Sequence, residues 1–221
     1  MKNVILFIAV IAMACTANAQ TNKQVAGSKS MEVQFSPLNG SPISLDGGIR
    51  FRSFSTETTA FRGTVFLGGS SSSDKSFGTN SAGDEIDLVD KMSSFSIQLR
   101  PGLEWHLVGT DKLSPYYGGE VLIGFNSEKS VNEFYGGESI EEETTKSGST
   151  QFGANAVGGM DYYFAQNIFF GAEIGAGILY ESRGATKTEY TTEQDDLEVP
   201  GGSSLSGGPN VNARIRLGII F

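Results

Sequence analysis

The sequence predicts an all-β fold, an eight-stranded antiparallel up-and-down β-barrel, and three observations predict it. Apolar and polar residues alternate with period two in one stretch after another, as strands with two unlike faces require. The connections between these stretches come in two sizes, tight and long. Beyond the first twenty residues no run of about 18 to 20 apolar residues exists, which leaves no candidate transmembrane helix. With 221 residues, 29 glycines and 38% hydrophobic content, the chain suits one folded domain rather than a disordered polymer.

In chain order, the first segment is not part of the fold. "MKNVILFIAVIAMACTANAQ" runs from Lys2 through the apolar residues Val4 to Ala14 to the small-residue site Ala17-Asn18-Ala19. It reads as a secretory signal peptide over 1–19, with 20–30 expected as an N-terminal periplasmic segment and 31–221 as the barrel domain. The only cysteine, Cys15, falls inside the signal, so the exported chain is expected to carry neither a disulfide nor a cysteine metal site. Lipidation at Cys15 is disfavoured, because Ala12-Met13-Ala14 matches a lipoprotein box poorly.

The strands follow. "MEVQF" (31–35) is short, and "ISLDGGIRFRS" sets Ile43, Leu45, Ile49 and Phe51 against Asp46, Arg50 and Arg52. "TAFRGTVFLG" is a weaker case, since Phe66 lands on the otherwise polar face. "SFSIQLRPGLEWHL" alternates Phe95, Ile97, Leu99, Leu103, Trp105 and Leu107 with Gln98, Arg100, Glu104 and His106. "YYGGEVLIGF" opposes Tyr117, Val121, Ile123 and Phe125 to Glu120, and "QFGANAVGGMDYYF" opposes Phe152, Met160, Tyr162 and Phe164 to Asn155 and Asp161. "IFFGAEIGAGILY" sets Ile168, Phe170, Ile174, Ile178 and Tyr180 against Glu173. The closing "NARIRLGIIF" sets Ala213, Ile215, Leu217, Ile219 and Phe221 against Arg214 and Arg216.

Residues 54–58, 108–114 and 165–167 are expected as tight turns, while 69–91, 126–149 and 181–209 are long, polar and rich in Gly, Ser and Thr. "SPLNGSP" is the one short connection on the long side. In an up-and-down meander all tight turns then fall on one side, the asymmetry of transmembrane barrels, whose strands need about 9 to 11 residues to cross a bilayer at a tilt.

Charge decides which face is inside. The polar faces carry Arg50, Arg52, Arg62, Arg100, Arg214 and Arg216 against Glu32, Asp46, Glu104, Glu120, Asp161 and Glu173, six of each sign. The apolar faces carry more aromatic rings than an eight-stranded interior has room for. An arginine facing lipid near the midplane costs about 2 to 4 kcal/mol. The arginines are therefore expected in the lumen with carboxylate partners, and the apolar set outside. Trp105, Tyr117, Tyr162, Phe164 and Phe170 then form a membrane girdle toward the tight turns, and Tyr180 belongs to a second one toward the long loops.

This alternation, with a last strand ending in Phe221, resembles the small outer-membrane β-barrels of Gram-negative bacteria and is similar in pattern to the barrel domain of OmpA. "RPGLEWHLVGTDKLSPYYGGE" also looks like stretches of such proteins from gliding or gut-type Gram-negatives. The resemblance covers about residue 31 to the end and implies a cell outer-membrane location. It implies outer-membrane lipid and lipopolysaccharide as surroundings, Phe221 as the signal read by the barrel-assembly machinery, and a larger membrane complex as a further partner. The peptidoglycan-binding domain of OmpA has no counterpart in this sequence, so wall anchoring is not expected.

Other functions find less support. His106 is the only histidine. The His-x-Ser pattern of lipid A deacylases is absent, because Leu107 and Val108 follow it, so no catalytic activity is expected and His106 reads as a hydrogen-bonded lumen or interface residue. No cofactor or metal site is expected, since the long connections lack an EF-hand spacing of oxygen ligands. Those three connections hold 17 acidic and 6 basic residues, which makes nucleic acid an unsuitable partner. The glycines inside strands, Gly118, Gly119, Gly158, Gly159, Gly171, Gly175 and Gly177, read as relief of crowding. The expected role is structural, or interaction through the loops, with a salt-bridged lumen. A small gated pore and a soluble lipocalin-like ligand-binding barrel are the alternatives.

Overall fold

The computed structural model describes residues 23–35, 48–79, 82–135, 140–191 and 195–221, with the side chains of Phe35 and 209–213 left aside. The expected signal peptide over 1–19, the connection "SPLNGSP" and Asp46 lie outside the described residues. Among the described residues ten strands occur in chain order: β1 (Lys29–Phe35), β2 (Ile49–Phe54), β3 (Thr59–Thr79), β4 (Glu85–His106), β5 (Leu113–Tyr135), β6 (Ile140–Ala165), β7 (Ile168–Arg183), β8 (Thr186–Tyr190), β9 (Leu197–Val199) and β10 (Gly202–Ile220). Among the described residues there is no helix.

Every described pairing is antiparallel. Strands β1 to β7 pair in sequence, β7 pairs with β10, and β10 returns to β1, so eight strands close into a ring. Closure leaves the ring no free edge. The seam sets Ser30 opposite Ile220, Val33 opposite Leu217 and Phe35 opposite Ile215, and Lys29 and Phe221 exchange backbone hydrogen bonds of 2.9 and 2.8 Å.

The tight turns lie where the sequence puts them: β2 ends at Phe54 and β3 starts at Thr59, β4 ends at His106 and β5 starts at Leu113, and only Gln166 and Asn167 separate β6 from β7. Asn167 takes a left-handed conformation (φ 62°), which asparagine tolerates better than most residues.

The long connections differ from expectation. Residues 69–91 and 126–149 are largely strand: β3 and β4 stay in register from Thr59 opposite Trp105 to Thr79 opposite Glu85, and β5 and β6 from Leu113 opposite Tyr162 to Tyr135 opposite Ile140. Residues 181–209 contain the end of β7, β8, β9 and the start of β10. β8 pairs with β6 beyond the point where β7 leaves it, and β9 pairs with β8. The ring thus carries an extension of paired strands on its long side. A run such as "SSSSDKS" has similar residues on both faces, so period two, which detects a contrast between faces, has nothing to register.

The N-terminal segment also acquires a definite place. Residues 23–28 lie across the tight-turn mouth, where Gln24 is buried. Its amide nitrogen donates to Ser114 Oγ (2.9 Å), and its amide oxygen accepts from the Tyr163 hydroxyl (2.8 Å). Tyr163, Phe169 and Ile220 form an apolar cluster at this end.

Candidate functional site

The interior of the ring is built by the inward half of each alternation. On β2, Arg50, Arg52 and Phe54 are buried while Ile49 and Phe51 face out, and on β3 Arg62 and Thr64 are buried between Phe61 and Val65. Arg50, Arg52, Arg62 and Arg216 are 0% exposed, as are Glu32, Glu104 and Asp161. A buried ion is tolerable only when paired and hydrogen-bonded, and the contacts supply that pairing in two groups.

Nearer the tight turns, Arg52 Nη1 donates to Asp161 (2.7 Å) and Glu104 (3.2 Å), while its Nε pairs with Glu32 and donates to Ser30 Oγ (3.1 Å). Arg216 donates one nitrogen each to Glu32 (2.8 Å) and Asp161 (2.7 Å). Farther up, Arg50 grips Glu173 with both terminal nitrogens at 2.8 Å. Arg62 reaches Glu173 (2.9 and 3.0 Å), Glu104 (2.9 Å) and Glu120 (2.7 Å). Tyr116 adds its hydroxyl to Glu173 at 2.5 Å. Two-pronged arginine–carboxylate contacts of this kind fix geometry as well as charge.

The upper rim is looser. Arg100 donates to Gln98 (2.7 Å) and, at 3.4 Å, to Glu120. Arg214 donates to Gln34 Oε1 (3.0 Å), and both guanidinium groups lie against the ring of Phe66, at 4.8 and 4.6 Å. Phe66, the odd residue on a polar face, is therefore a cation–π partner inside the ring.

All ten residues expected to form the lumen network (Arg50, Arg52, Arg62, Arg100, Glu104, Glu120, Asp161, Glu173, Arg214 and Arg216) point inward and meet one another or a polar neighbour. The aromatic residues Trp105, Tyr117, Tyr162, Phe164, Phe170 and Tyr180 all lie on the outer face, 39 to 51% exposed. Trp105 stands opposite Tyr117 with stacked rings 5.7 Å apart, Tyr162 opposite Phe170, and Phe152 opposite Tyr180. Phe221 directly follows the closing strand with its side chain exposed.

Inward-facing glycines make room for the ions at two close approaches. A Cβ on Gly171 would come within 2.8 Å of the Arg216 guanidinium and Asp161, and one on Gly218 would meet the Phe169 ring at 2.3 Å.

Sequence reasoning missed Tyr116, Tyr163 and Gln24. A signal was present for the tyrosines: in the doublets 116–117 and 162–163 period two sends one ring out and its neighbour in. His106 is a buried, hydrogen-bonded interior residue as expected, with Nδ1 2.8 Å from Ser114 Oγ and Nε2 3.4 Å from Glu104. An acid, an imidazole and a hydroxyl thus stand in line, although no His-x-Ser motif announces them. Ser114 is 1% exposed and its oxygen already accepts from Gln24, so this line of groups holds the N-terminal segment in place. Among the described residues no cluster of three or more His, Cys, Asp or Glu is disposed to hold a metal ion.

Fold and site together define a class: a closed antiparallel ring of eight strands, ionic within and apolar without. No family model matches the chain, and no curated protein is similar to it. Among solved structures it is similar to the N-terminal β-barrel domain of Pseudomonas aeruginosa OprF, at 14% identity and a TM-score of 0.37, over 90% of this chain and 100% of that one.

Proposed function

We propose that the protein is an outer-membrane β-barrel whose ring crosses the bilayer and whose strand extension stands outside it as a structural and interaction element. One observation carries this reading: the ring is inside out relative to a water-soluble protein. Side chains such as Leu67, Leu99, Val121, Ile123, Met160, Ile174, Ile178 and Leu217 are 43 to 66% exposed and encircle it, while its ions are buried. Water-soluble monomers rarely expose contiguous apolar surface beyond a few hundred Å², whereas hydrocarbon is a natural solvent for such a belt. The outward aromatic pairs Trp105–Tyr117 and Tyr162–Phe170 suit the headgroup level.

Under this reading the girdle residues contact outer-membrane lipid and lipopolysaccharide, Phe221 serves as the assembly signal, and the extension is where a larger membrane complex would form. A lipocalin-like binder would line its interior with Trp105, Tyr117, Tyr162, Phe164, Phe170 and Tyr180, which here face outward. The zero exposure of the central arginines favours an ionic plug over an open pore.

Single spin labels on the protein reconstituted in lipid vesicles test the proposal. Labels at Ile174 and Leu217 are expected to relax with lipid-soluble oxygen, and one at Ser73 with an aqueous nickel chelate. Equal access of the chelate to all three overturns it.

A further inference from the structure

We infer that a row of lysines on the outer face of the extension, just beyond the apolar belt, holds the phosphate groups of outer-leaflet glycolipid. The row is set by strand register. Residues directly opposite each other in an antiparallel pair share a face; Lys129 stands opposite Lys146, and Lys146 stands opposite Lys187. Lys91 is one step along on the neighbouring strand, since Ser93 is opposite Lys129 and Lys91 is opposite Val131. Lys91 and Phe95 lie an even number of residues apart on β4, as do Lys129 and Phe125 on β5, so the row faces outward with those rings. Four lysines thus cross four adjacent strands, β4, β5, β6 and β8.

Like charges directly opposite one another are destabilising, and here two such pairs run in succession. Compensation within the chain is partial. Lys146 holds Glu189 at 2.8 Å and Lys187 reaches Glu198 at 3.7 Å, while among the described residues Lys91 and Lys129 have no carboxylate within 4.0 Å. With both partners counted, four positive charges meet two negative ones. The next outward acids of these strands, Asp87, Glu133 and Glu142, each stand four residues farther from the ring than Lys91, Lys129 and Lys146, about 13 Å of strand. Lys75, opposite Val89, lies between the two tiers. Toward the ring the outward positions are uncharged: Ser93, Ser127, Gly148 and Thr150. The extension is acidic as a whole, yet its outer face turns a cationic tier toward the belt and an anionic tier away from it.

The height of the row selects its ligand. Lys91 and Lys129 lie four residues beyond Phe95 and Phe125, and Lys146 six beyond Phe152, exposed rings that close the belt on the long side. Four residues of a strand tilted by about 40° rise about 10 Å. The headgroup layer extends about 5 to 8 Å past the hydrocarbon on each side, so a lysine stem lying back toward the belt sets its ammonium among the headgroup phosphates. Ammonium groups bind phosphate as point charges. Neighbouring strands are about 4.8 Å apart, so one phosphate between Lys129 and Lys146 meets both and removes their repulsion. The inference rests on the proposed crossing of the bilayer by the ring.

The test uses the full chain in phosphatidylcholine vesicles at a fixed ionic strength of about 0.15 M, with bisphosphorylated lipid A titrated in as the probe. A nitroxide at Ser93, opposite Lys129, broadens the phosphorus resonances of lipids that reside beside it, and phosphatidylcholine is the internal reference. Lipid A is expected to broaden well before phosphatidylcholine. In Lys129→Gln/Lys146→Gln the lipid A content that gives half the effect is expected to rise about tenfold or more. Lys29→Gln/Lys112→Gln removes the same charge from exposed lysines on the tight-turn side and is expected to change nothing. The same glycolipid without its phosphates, and inorganic phosphate at equal ionic strength, are expected not to displace the probe. Equal broadening of both lipids by the wild type overturns the inference, as does an equal response of the two double variants or displacement by the phosphate-free glycolipid. Displacement by inorganic phosphate overturns it too, by assigning the row to a free anion. A label at Leu217 keeps the two readings apart. If oxygen reaches it and lipid A still shows no preference, the row alone is refuted; if oxygen does not, the bilayer crossing fails and the row with it.

Discussion

The ring and its extension are one continuous set of strands held by two different balances of forces. Within the ring each strand has unlike faces: on β7, Phe169, Gly171 and Glu173 are buried, while Phe170, Ala172 and Ile174 are exposed. Beyond the ring, residues 70–77 of β3 are exposed on both faces, and their visible side-chain contacts are of the kind made by Ser70 to Ser94 at 2.8 Å. The backbone ladder is common to both regions, so the difference lies in the side chains. In the ring, identity at each inward position is dictated by a charge or a volume. In the extension, the ladder and cross-strand pairs worth a few tenths of a kcal/mol each are what remains.

The sharpest way to break this contrast is at Glu173, which five donor contacts from Arg50, Arg62 and Tyr116 share. Replacing it with Gln takes the close carboxylate from the buried Arg50 and one of three from Arg62, and is expected to destabilise the ring by about 3 to 5 kcal/mol in urea unfolding from detergent. Gly171→Val comes next: the new side chain has to displace Arg216 and Asp161, an overpacking expected to lose about 1 to 3 kcal/mol by the same measurement. The extension should answer differently. Replacing 71–93 with Asn-Gly, a two-residue hairpin turn, is expected to move the ring's unfolding free energy by no more than about 0.5 kcal/mol.

The smallest effect is a pH dependence. Lys146 Nζ holds Glu189 at 2.8 and 2.9 Å on the exposed β6–β8 pair, and its hydrogen bond and charge keep the Glu189 carboxyl below the usual carboxylate range. A carboxyl depressed in the folded state contributes above its unfolded pKa and stops contributing as pH falls through the lowered one. The protection factor of the β8 amides, from which the intrinsic pH dependence of exchange is divided out, is therefore expected to be highest near neutrality and to fall relative to the ring's as the medium is acidified below about pH 4, a difference that Lys146→Met removes.

How much of this was legible in the sequence follows from the same contrast. Arg50, Arg214 and Arg216 were readable because each sits between apolar neighbours at i±1, Arg52 because it follows Arg50 at i+2 on the same face, and the tight turns because alternation stops at them. The pairing of particular ions was not, since Arg52 meets Asp161 across 109 positions of chain, and only closure of the ring brings them together. Phe66 looked like a defect in the pattern because an aromatic ring serving two cations counts as apolar in any periodicity. The extension was hidden because uniformly polar strands carry no contrast between faces.

Gln24 has a practical consequence for anyone handling the molecule. One carboxamide answers Ser114 on one side and Tyr163 on the other, so the segment ahead of the first strand works as a stopper seated in the mouth. Trimming the chain beyond that point leaves two hydroxyls inside without their partner, and a purification tag joined directly before Lys23 pulls on the stopper, so a flexible spacer belongs between them.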